Sequence, residues 1–550
     1  MTQGALILDQ HGQPMKAAAP QARLLAGQQS SVAYDAAQLR GPHMEGWNPY
    51  PGSPDLDLNP WRNVIVPRLR DLARNDGWAS GIVTRVIDNA LGSSFRPMFR
   101  PDWTALQQHT GLKTFDATWA RDYRRAIKAR FRCWADDPGH YNDSERRLTW
   151  SQQMRLAFRH KLIENDALAI AQWHADRVGL GRARYATALQ LIDPDRLSNP
   201  QQRFDTQSQR GGVEVDDWGT PLGYHIRRAH PADWFSAQKA LQWDFIPRET
   251  PWGRPVGIHD FDADRIGQHR GGAGILGAAA QRLKMLFRYD TAELDGAIVN
   301  AILGAYVESP FDHDNLAAAL TDDSGLSSYQ SERKAFHEDR RINLGNVRVA
   351  MLYPGEKINF AKSERPNSNF ASFEKAVLRN AASAAGVSAQ QASNDWSDVN
   401  YSSARAALQE FWKTITRRRD DFGAGFAHPT LIAWQEESHA IDDLPLPAGA
   451  PEFLECRGAY SRVRWLGPGI GWLDPVDEPT GAAIRLEANL TTYGRELEEQ
   501  GMDEDEVMEE RALELAEMKS LGLPLPDWAK SNSLRQAARG TANPQGEETN

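Results

Sequence analysis

The chain has 550 residues, a net charge of −10, 41% apolar residues and 25% charged residues. This length exceeds what one hydrophobic core usually organises, so we expect about two to four structural regions. The composition is that of a globular protein, which excludes a disordered or fibrous chain. The net charge argues against tight binding to nucleic-acid phosphates, but a wall with the same sign as the phosphates would let DNA pass without adhesion.

Cysteine content and hydropathy indicate the compartment. Cys133 and Cys456 are far apart and form neither a disulfide framework nor a zinc pattern, which is typical of a reducing environment. The apolar run at residues 5–8 is too short for a signal peptide, and no uncharged apolar stretch reaches about 18 residues. We therefore expect a soluble protein made in the cytoplasm, with no membrane partner.

The N-terminal half predicts an arm, helices and then short strands. Residues 1–60 are rich in Ala, Gly, Gln and Pro and predict a flexible arm. Residues 61–91 show helical periodicity broken at Asn75-Asp76-Gly77, which predicts two packed helices, and helical stretches follow at about 103–134 and 149–164. The period then changes to strands separated by Gly, Pro and Asp turns, which predicts a mixed α+β domain. The predicted strands are 168–173, 188–192, 212–215, 224–226 and 256–261.

The C-terminal half is dominated by long helices. Residues 274–307 predict a rod of about 45 to 50 Å, longer than one compact domain needs. A second helix at 368–385 ends at Gly386, and a third covers 404–422. Two β-like runs, 348–353 and 357–360, lie between the first two helices. Further predicted elements are a helix at 430–439, a strand at 462–466 and helices over 480–521, followed by a disordered tail. The apolar stripe of the rod consists of Leu283, Phe287, Leu294, Ile298, Ile302 and Tyr306.

Residues 272–277 match the letters of the G-x-G-x-x-G dinucleotide fingerprint. About ten charged and polar residues separate them from the nearest predicted strand, and the following helix does not return to a second strand, so the context of a dinucleotide-binding unit is missing. We interpret the glycines as a flexible helix entry and expect no cofactor.

Several other sets of polar residues are explained without a functional site. His259, Asp260, Asp262, Asp264 and His269 include plausible metal ligands but lack a ligand spacing, so we expect a solvated loop and no metal. No phosphate-binding P-loop, G-x-S-x-G or H-E-x-x-H motif occurs, so we expect no catalytic residues and no enzyme activity. The acidic run is interpreted as a solvated helix face rather than a partner-binding surface. Its members are Glu498, Glu499, Asp503, Glu504, Asp505, Glu506, Glu509, Glu510 and Glu514.

Short motifs form an ordered set over about residues 40–525. The motifs are WNP at 47–49, RDLARNDG at 70–77, VIDN at 86–89, GS at 92–93, DPDRLSNP at 193–200, GVEV at 212–215, GQHRG at 267–271, LKML at 283–286, PGEK at 354–357, GVS at 386–388, YSSAR at 401–405 and WLGPG at 465–469. This ordered set resembles the lambda-type phage portal family. One departure is Asp477-Glu478-Pro479, where that family more often has Lys-Glu-Ala, which leaves the start of the following helix open.

The resemblance implies an α+β portal fold assembled as a ring, typically a homododecamer. It implies a mixed α+β wing, a helical stem, a small β-containing clip and a helical crown. On this chain these would be a flexible arm 1–60, a wing 61–273, stem helices 274–307 and 367–386, a clip 308–366, a tunnel loop 387–403, a tunnel helix and return to the wing 404–475, a crown 476–527 and a disordered tail 528–550.

The tunnel loop would face DNA, and it carries neutral donors and acidic groups instead of Lys and Arg. Such groups make weak, exchangeable contacts without the counterion release that holds a duplex in place. From the residues alone, an ordinary helix-to-helix loop is the preferred interpretation of the segment. The candidate residues are Asn394, Asp395, Trp396, Ser397, Asp398, Asn400 and Tyr401.

The resemblance also implies a place in the virion and a set of partners. The ring would stand at the portal vertex of a capsid assembled in the bacterial host cytoplasm, dock the terminase large subunit during packaging, and serve as the DNA exit in ejection. Partners would be double-stranded DNA, the major capsid and scaffold proteins, and head-completion and tail connector proteins. A nucleotide-dependent enzyme built on residues 272–277 and a cytosolic scaffold without a DNA path remain the alternatives.

Overall fold

The computed structural model describes most of the chain with several gaps. The described residues are 46–93, 95–302, 306–308, 331, 335, 341–344, 347–350, 357–359, 370–397, 401–471, 475–524 and 526. The chain divides into two compact units, Met1–Ser53 and Pro54–Asn550. In the first unit, Trp47 and Tyr50 are exposed. The predicted tail and most of residues 308–366 lie outside the described residues. Within the described ranges, no helix is both long and apolar enough to cross a bilayer.

The second unit contains all the helices and strands named here. Its helices are α1 Pro54–Leu58, α2 Arg62–Asn75, α3 Gly77–Ala90, α4 Trp103–Thr110, α5 Ala117–Ala135, α6 Trp150–Glu164, α7 Ala237–Ala240, α8 Ala280–Ile302, α9 Phe370–Ala385, α10 Ala389–Ser393, α11 Tyr401–Phe422, α12 His428–Ile441, α13 Arg457–Tyr460, α14 Asp477–Glu487, α15 Tyr493–Glu499 and α16 Glu504–Ser520.

Capping side chains set several helix starts. The Ala79 backbone N–H donates to the Asp76 carboxylate at 2.8 Å, which separates α2 from α3 at the predicted break. Thr149 and Gln152 form a reciprocal capping box at the start of α6. These polar residues therefore fix where the predicted helices begin.

The strands form small antiparallel sheets. The sheet orders are β3-β2-β8, β4-β5-β6-β7, β1-β13, β10-β11 and β12-β9. The strands are β1 Arg96–Phe99, β2 Ala167–Trp173, β3 Thr187–Ile192, β4 Gln209–Arg210, β5 Val213–Val215, β6 Pro221–Arg227, β7 Trp243–Pro247, β8 Gly257–Asp260, β9 Tyr306–Glu308, β10 Arg341–Leu344, β11 Val347–Ala350, β12 Lys357–Asn359 and β13 Val463–Leu466.

Strand β2 divides the core in two because successive side chains of a strand point to opposite faces. Ala167, Ala169 and Ala171 face the large helical core, where small side chains let helices approach. Leu168 and Ile170 face the four-stranded sheet and belong to a second, smaller core. The two sheets and the helices are therefore held together through one strand.

Aromatic side chains fill the large core. Phe95 stacks on Trp150 with ring centroids 5.8 Å apart, and Trp134 stacks on Trp434 at 5.7 Å. Trp434 lies on α12, so the C-terminal half of the chain completes a core begun by α5 and α6. Large buried aromatic rings of this kind contribute heavily to stability.

A buried charge cluster joins α2, β2, β8 and the segment before α8. The side chain of Asp166 is fully buried and accepts from Arg62 at 3.1 Å, Arg270 at 3.1 Å and His259 at 2.5 Å. Burial by itself would raise the pKa of Asp166, but these cationic and hydrogen-bonding partners lower it below the ordinary value. Arg270 also donates to the carbonyls of Leu197, Gly211 and Pro194. The cluster therefore anchors the entry to α8 on the sheets.

Several predicted boundaries differ from the structure in the N-terminal half. The helix predicted at 103–134 is two helices, because Gly111 takes φ +74 and ends α4 before Asp116 caps α5. The arm predicted for 1–60 is interrupted by α1, where the buried Asp55 accepts from the backbone and ring N–H groups of His269 at 2.9 and 2.8 Å. Strands β1, β4 and β7 were not predicted.

The C-terminal half also departs from the prediction. The rod predicted for 274–307 is shorter: Gly277–Ala279 is a 3-10 turn, α8 ends at Ile302, and Tyr306 lies on β9. The helices predicted over 480–521 are present as α14, α15 and α16. Pro479 is the third residue of α14, where a backbone N–H has no intrahelical acceptor, so the helix starts at Asp477 despite the proline.

Candidate DNA-facing segment

Residues 386–403 connect α9 to α11 and contain the predicted DNA contacts. Gly386 takes φ +67 and ends α9, and the Val387 N–H donates back to the Ala382 carbonyl at 2.9 Å. A non-glycine residue would be strained in this left-handed conformation. The predicted end of the second helix is thus correct.

The segment then folds into the short helix α10, so it is not an open loop throughout. Ser388 and Gln391 form a capping box with distances of 3.2 and 3.1 Å. Gln391 and Ala392 are buried, and Arg85 on α3 donates to the Ala392 carbonyl at 3.3 Å. The first part of the predicted loop is therefore fixed to the helical core, and the exposed side chains that the structure describes lie at 394–397.

Four of the seven predicted site residues come together at the end of α10. Asn394 ends α10 with φ +56, and the Asp395 carboxylate accepts from the backbone N–H and hydroxyl of Ser397 at 3.1 and 2.6 Å. The hydrogen bonds from Ser397 lower the pKa of Asp395, which is exposed. The Trp396 side chain is 37% exposed. The turn therefore presents one carboxylate, one indole and one primary amide to solvent.

The other three predicted site residues are Asp398, Asn400 and Tyr401. Asp398 and Asn400 lie outside the described residues. Tyr401 is the first residue of α11, so it belongs to a helix and not to the loop, and its side chain is not among those described. The predicted third helix therefore starts three residues before the expected position 404.

Two arginines of α11 bind the C-terminal ends of neighbouring helices, and neither contact was predicted from the sequence. Arg418 donates to the carbonyl of Ala385 at the end of α9 at 2.8 Å. Arg419 donates to the carbonyls of Ala90 and Asn89 at the end of α3 at 2.6 and 3.2 Å. Cations at helix C-termini satisfy carbonyls that lack helical partners. Burial lowers the pKa of both guanidinium groups.

A π-helical turn, Gly423–Ala427, joins α11 to α12. A side chain at Gly423 would collide with the indole of Trp465, and one at Gly425 would collide with the Asp260 carboxylate. Both glycines are therefore required by close packing, and α11 is anchored to β8 and β13.

The glycines of residues 271–277 also serve close packing. Side chains at Gly271 and Gly274 would collide with the carbonyls of Asn165, Leu162 and Ile163. The preceding strand, β8, ends at Asp260 and pairs antiparallel with β2, and β9, the next strand described after α8, pairs antiparallel with β12. The βαβ context of a dinucleotide site is therefore not formed at this segment.

The candidate metal ligands of the sequence do not converge. His259 contacts Asp166, His269 contacts Asp55, and Lys161 lies 2.8 Å from Asp260 and 3.0 Å from Asp262. Asp264 is exposed rather than part of a cluster.

Among the described residues, Asp193, Asp195 and His230 do lie close enough to share an ion. Arg70 contacts Asp193 at 3.2 Å and Asp195 at 2.6 Å, and Arg62 contacts Asp195 at 3.1 Å. The guanidinium groups therefore already balance these carboxylates.

The structure corrects the interpretation of the acidic run as a solvated helix face. Asp503 and Asp505 are buried, and Glu498, Glu504 and Glu506 are half-buried. All five contact basic side chains on β1 and α5. Glu499 and the later members Glu509, Glu510 and Glu514 are exposed as predicted.

Known proteins resemble this chain over most of its length. A family model described as phage portal protein, lambda family, matches residues 40–419. The portal protein of Escherichia phage N15 is 31% identical over 496 residues, which cover 89% of this chain and 91% of that protein. Portal protein B of Escherichia phage lambda is 29% identical over 507 residues, which cover 90% of this chain and 92% of that protein.

A solved structure gives a weaker likeness. A chain from the neck of an empty GTA particle has a TM-score of 0.39 and 14% identity, covering 76% of this chain and 99% of that chain. At this TM-score the likeness adds nothing to the assignment. The assignment rests on the family model, which spans more than half of the sequence, and on the N15 relative. The chain therefore belongs to the lambda family of phage portal proteins.

Proposed function

We propose that this portal protein assembles into a ring, typically of twelve copies, whose central channel passes double-stranded DNA. The ring stands at one vertex of the capsid, docks the terminase large subunit during packaging and head-completion or tail proteins afterwards, and is the DNA exit in ejection. Its role is non-enzymatic: the chain guides DNA, and ATP hydrolysis belongs to the terminase. Residues 308–366 form the docking clip, and residues 387–403 face the duplex.

The apolar stripe of α8 is the observation that supports assembly into a ring. Leu283 is fully buried in the subunit's own core, whereas Phe287 is 42%, Leu294 63% and Ile298 55% exposed. The subunit's own core therefore covers the stripe only in the first turn of α8, and the rest of the stripe is exposed. Exposed apolar residues in a row on one helix face mark an interaction site, and in a ring the same face of every copy can be covered by its neighbour.

The adjoining helix continues this apolar surface. Phe373 on α9 is 47% exposed and lies against Tyr289 of α8, with ring centroids 5.4 Å apart. Paired helices with an uncovered apolar face are what the stem of a ring requires, because a single helix pair cannot cover both of its own faces. Ring closure is therefore part of how this chain buries its hydrophobic surface.

Electron microscopy of the purified protein, with mass from light scattering, tests the ring. We expect particles with an open central channel and a mass near twelve times 61.5 kDa. The double variant Leu294→Ser/Ile298→Ser should stay monomeric. Leu180→Ser/Ile266→Ser is the matched control, since both side chains are fully exposed and lie outside the stripe. Equal assembly of the two variants would contradict this interface.

Packaging tests the DNA-facing segment. In procapsids built with the cognate capsid and terminase proteins, Ser397→Lys should slow DNA uptake because a lysine would bind phosphates and release counterions. Gln207→Lys adds the same charge at another exposed position and should package at the normal rate. An unchanged rate for Ser397→Lys would remove residues 387–403 from the DNA path.

A further inference from the structure

The acidic run lies on a matched set of cations, which we call the basic strip: Arg96 and Arg100 at β1, and Arg124, Lys128 and Arg132 on α5. Lys128 contacts Asp503 at 2.6 Å and Glu506 at 3.3 Å. Arg124 contacts Asp505 at 2.5 Å, and Arg96 contacts Glu506 at 2.7 Å. Arg132 also contacts Glu506, and Arg100 contacts Glu498 and Glu504 at 3.0 and 3.4 Å. Every member of the strip is therefore covered by a carboxylate from α15, α16 or the turn between them.

The strip is rigid and is built independently of the acidic run. Arg124, Lys128 and Arg132 are spaced four residues apart and share one face of α5, in steps of about 6 Å. The adjacent face of α5 carries Tyr123 and Ile127, which are completely buried in the large core. A row of like charges at this spacing is unfavourable without counter-charges. An anionic ligand is therefore a requirement of this surface.

The cover is held almost entirely by charge. Within α16, Asp505 is the buried residue, whereas Met508 is 46% and Leu513 72% exposed. Leu497 of α15 supplies a buried apolar contact nearby. The arginines of the outer pairs, Arg96, Arg100 and Arg132, are partly exposed, so these pairs contribute little stability and weaken with salt, whereas the side chains of Lys128 and Asp503 are 11% and 3% exposed. Helix α16 is therefore easier to remove from the strip than α5 is to remove from the core.

We propose that the basic strip is a binding site for the phosphates of duplex DNA, which the chain's own α16 occupies until DNA displaces it. Carboxylates on α16 occupy the positions that phosphate oxygens would take, so the exchange replaces one anion by another. Duplex DNA carries one charge per about 1.7 Å of axis and competes well for such a strip at high local concentration. The inference rests on the proposed function, because a subunit at a DNA channel meets duplex at that concentration.

The first experiment uncovers the strip in the full chain. In Asp503→Asn/Glu506→Gln, a short fluorescent duplex of mixed sequence should bind about tenfold or more tighter than to wild type at low salt, with a steeper salt dependence. The control Glu510→Gln/Glu514→Gln removes the same charge from exposed positions of the same helix and should bind as wild type does. Adding Arg124→Gln/Lys128→Gln to the uncovered variant should abolish the gain. A gain that survives this addition places the DNA elsewhere and overturns the proposal.

The second experiment uses the unaltered protein, so it does not depend on how the variants fold. Duplex DNA should speed hydrogen exchange of the α16 amides, and an uncharged polymer should leave it unchanged. Unchanged exchange with DNA, together with no gain in the uncovered variant, overturns the strip. Ring formation in the electron microscope is scored separately: rings without a DNA response contradict the strip alone, whereas the absence of rings contradicts the proposed function.

Discussion

The buried cluster around Asp166 and the basic strip use the same groups in different surroundings. In both, arginines meet carboxylates from distant parts of the chain. The side chains of Asp166, Arg62 and Arg270 are 0%, 5% and 5% exposed, whereas the cations of the strip range from 11% exposed at Lys128 to 45% at Arg132. The buried network around Asp166 therefore fixes the fold, whereas the less buried network of the basic strip can open.

The physical reason is the cost of leaving one charge alone. In a dry interior a carboxylate whose cation is removed stays uncompensated, because water cannot reach it. At a half-exposed surface, water and salt replace the missing partner at little cost. The same substitution should therefore have opposite outcomes in the two regions: loss of folding at the cluster, and local release at the strip.

The largest effect is expected from Arg270→Met. It removes one cation from Asp166 and three donors from backbone carbonyls, so we expect a loss of about 3 to 5 kcal/mol in the free energy of unfolding. Urea unfolding followed by tryptophan fluorescence measures it. Arg228→Met is the matched control, since Arg228 pairs with Asp244 at an exposed position, and it should cost less than about 1 kcal/mol. Equal losses in the free energy of unfolding would show that the cost of breaking an ion pair does not depend on its burial.

The pH dependence of Asp166→Asn sharpens the same point. Arg62, Arg270 and His259 face Asp166, and its pKa in the fold is lowered from the ordinary 3.8. A lowered pKa stabilises the fold above pH 3.8, and that stability is lost as the pH falls below this value. The deficit of the variant relative to wild type should thus be smaller at pH 3 than at pH 5, by about 1 kcal/mol. Urea midpoints across this range measure the deficit, and a constant deficit at pH 3 would assign the stabilisation to packing.

Local pattern predicted the elements but not the long-range pairings. The alternation along β2 and the break at Asp76 are visible in the sequence because they reflect spacing within one element. Strand β1 was missed because it is four residues long, contains Pro97, and pairs with Val463–Leu466 near the other end of the chain. The partners of the acidic run were missed for the same reason.

The candidate DNA-facing segment shows the same limit. Gly386 and the polar composition after it correctly indicated a helix end. The spacing of Ser388 and Gln391 is that of a capping box and would have predicted the start of α10. The roles of Arg418 and Arg419 had no local signal, because a pair of arginines on a charged helix does not reveal which carbonyls from other helices lie beside it.

A medium effect is expected at the strip from Lys128→Met. Its ammonium lies between Asp503 and Glu506, and burial lowers its pKa while Asp503 opposes that shift. The variant should speed exchange of the α16 amides about tenfold, equivalent to about 1.4 kcal/mol, and leave the urea midpoint of the core nearly unchanged. Added salt should have the same effect on wild type and little further effect on the variant. A parallel fall of both quantities would make α16 part of the cooperative core.

The smallest effect is expected where ion pairs are fully exposed, on α11. Glu410 and Lys413 lie 2.7 Å apart one turn from each other, and their side chains are 75% and 73% exposed. Glu410→Gln should change the free energy of unfolding by no more than about 0.5 kcal/mol, and salt should remove even that difference. The measurement is a urea midpoint at low and high salt. A larger, salt-resistant loss would mean that Glu410 is covered by a neighbouring copy in the ring, where this pair would behave like the cluster around Asp166 rather than like a surface contact.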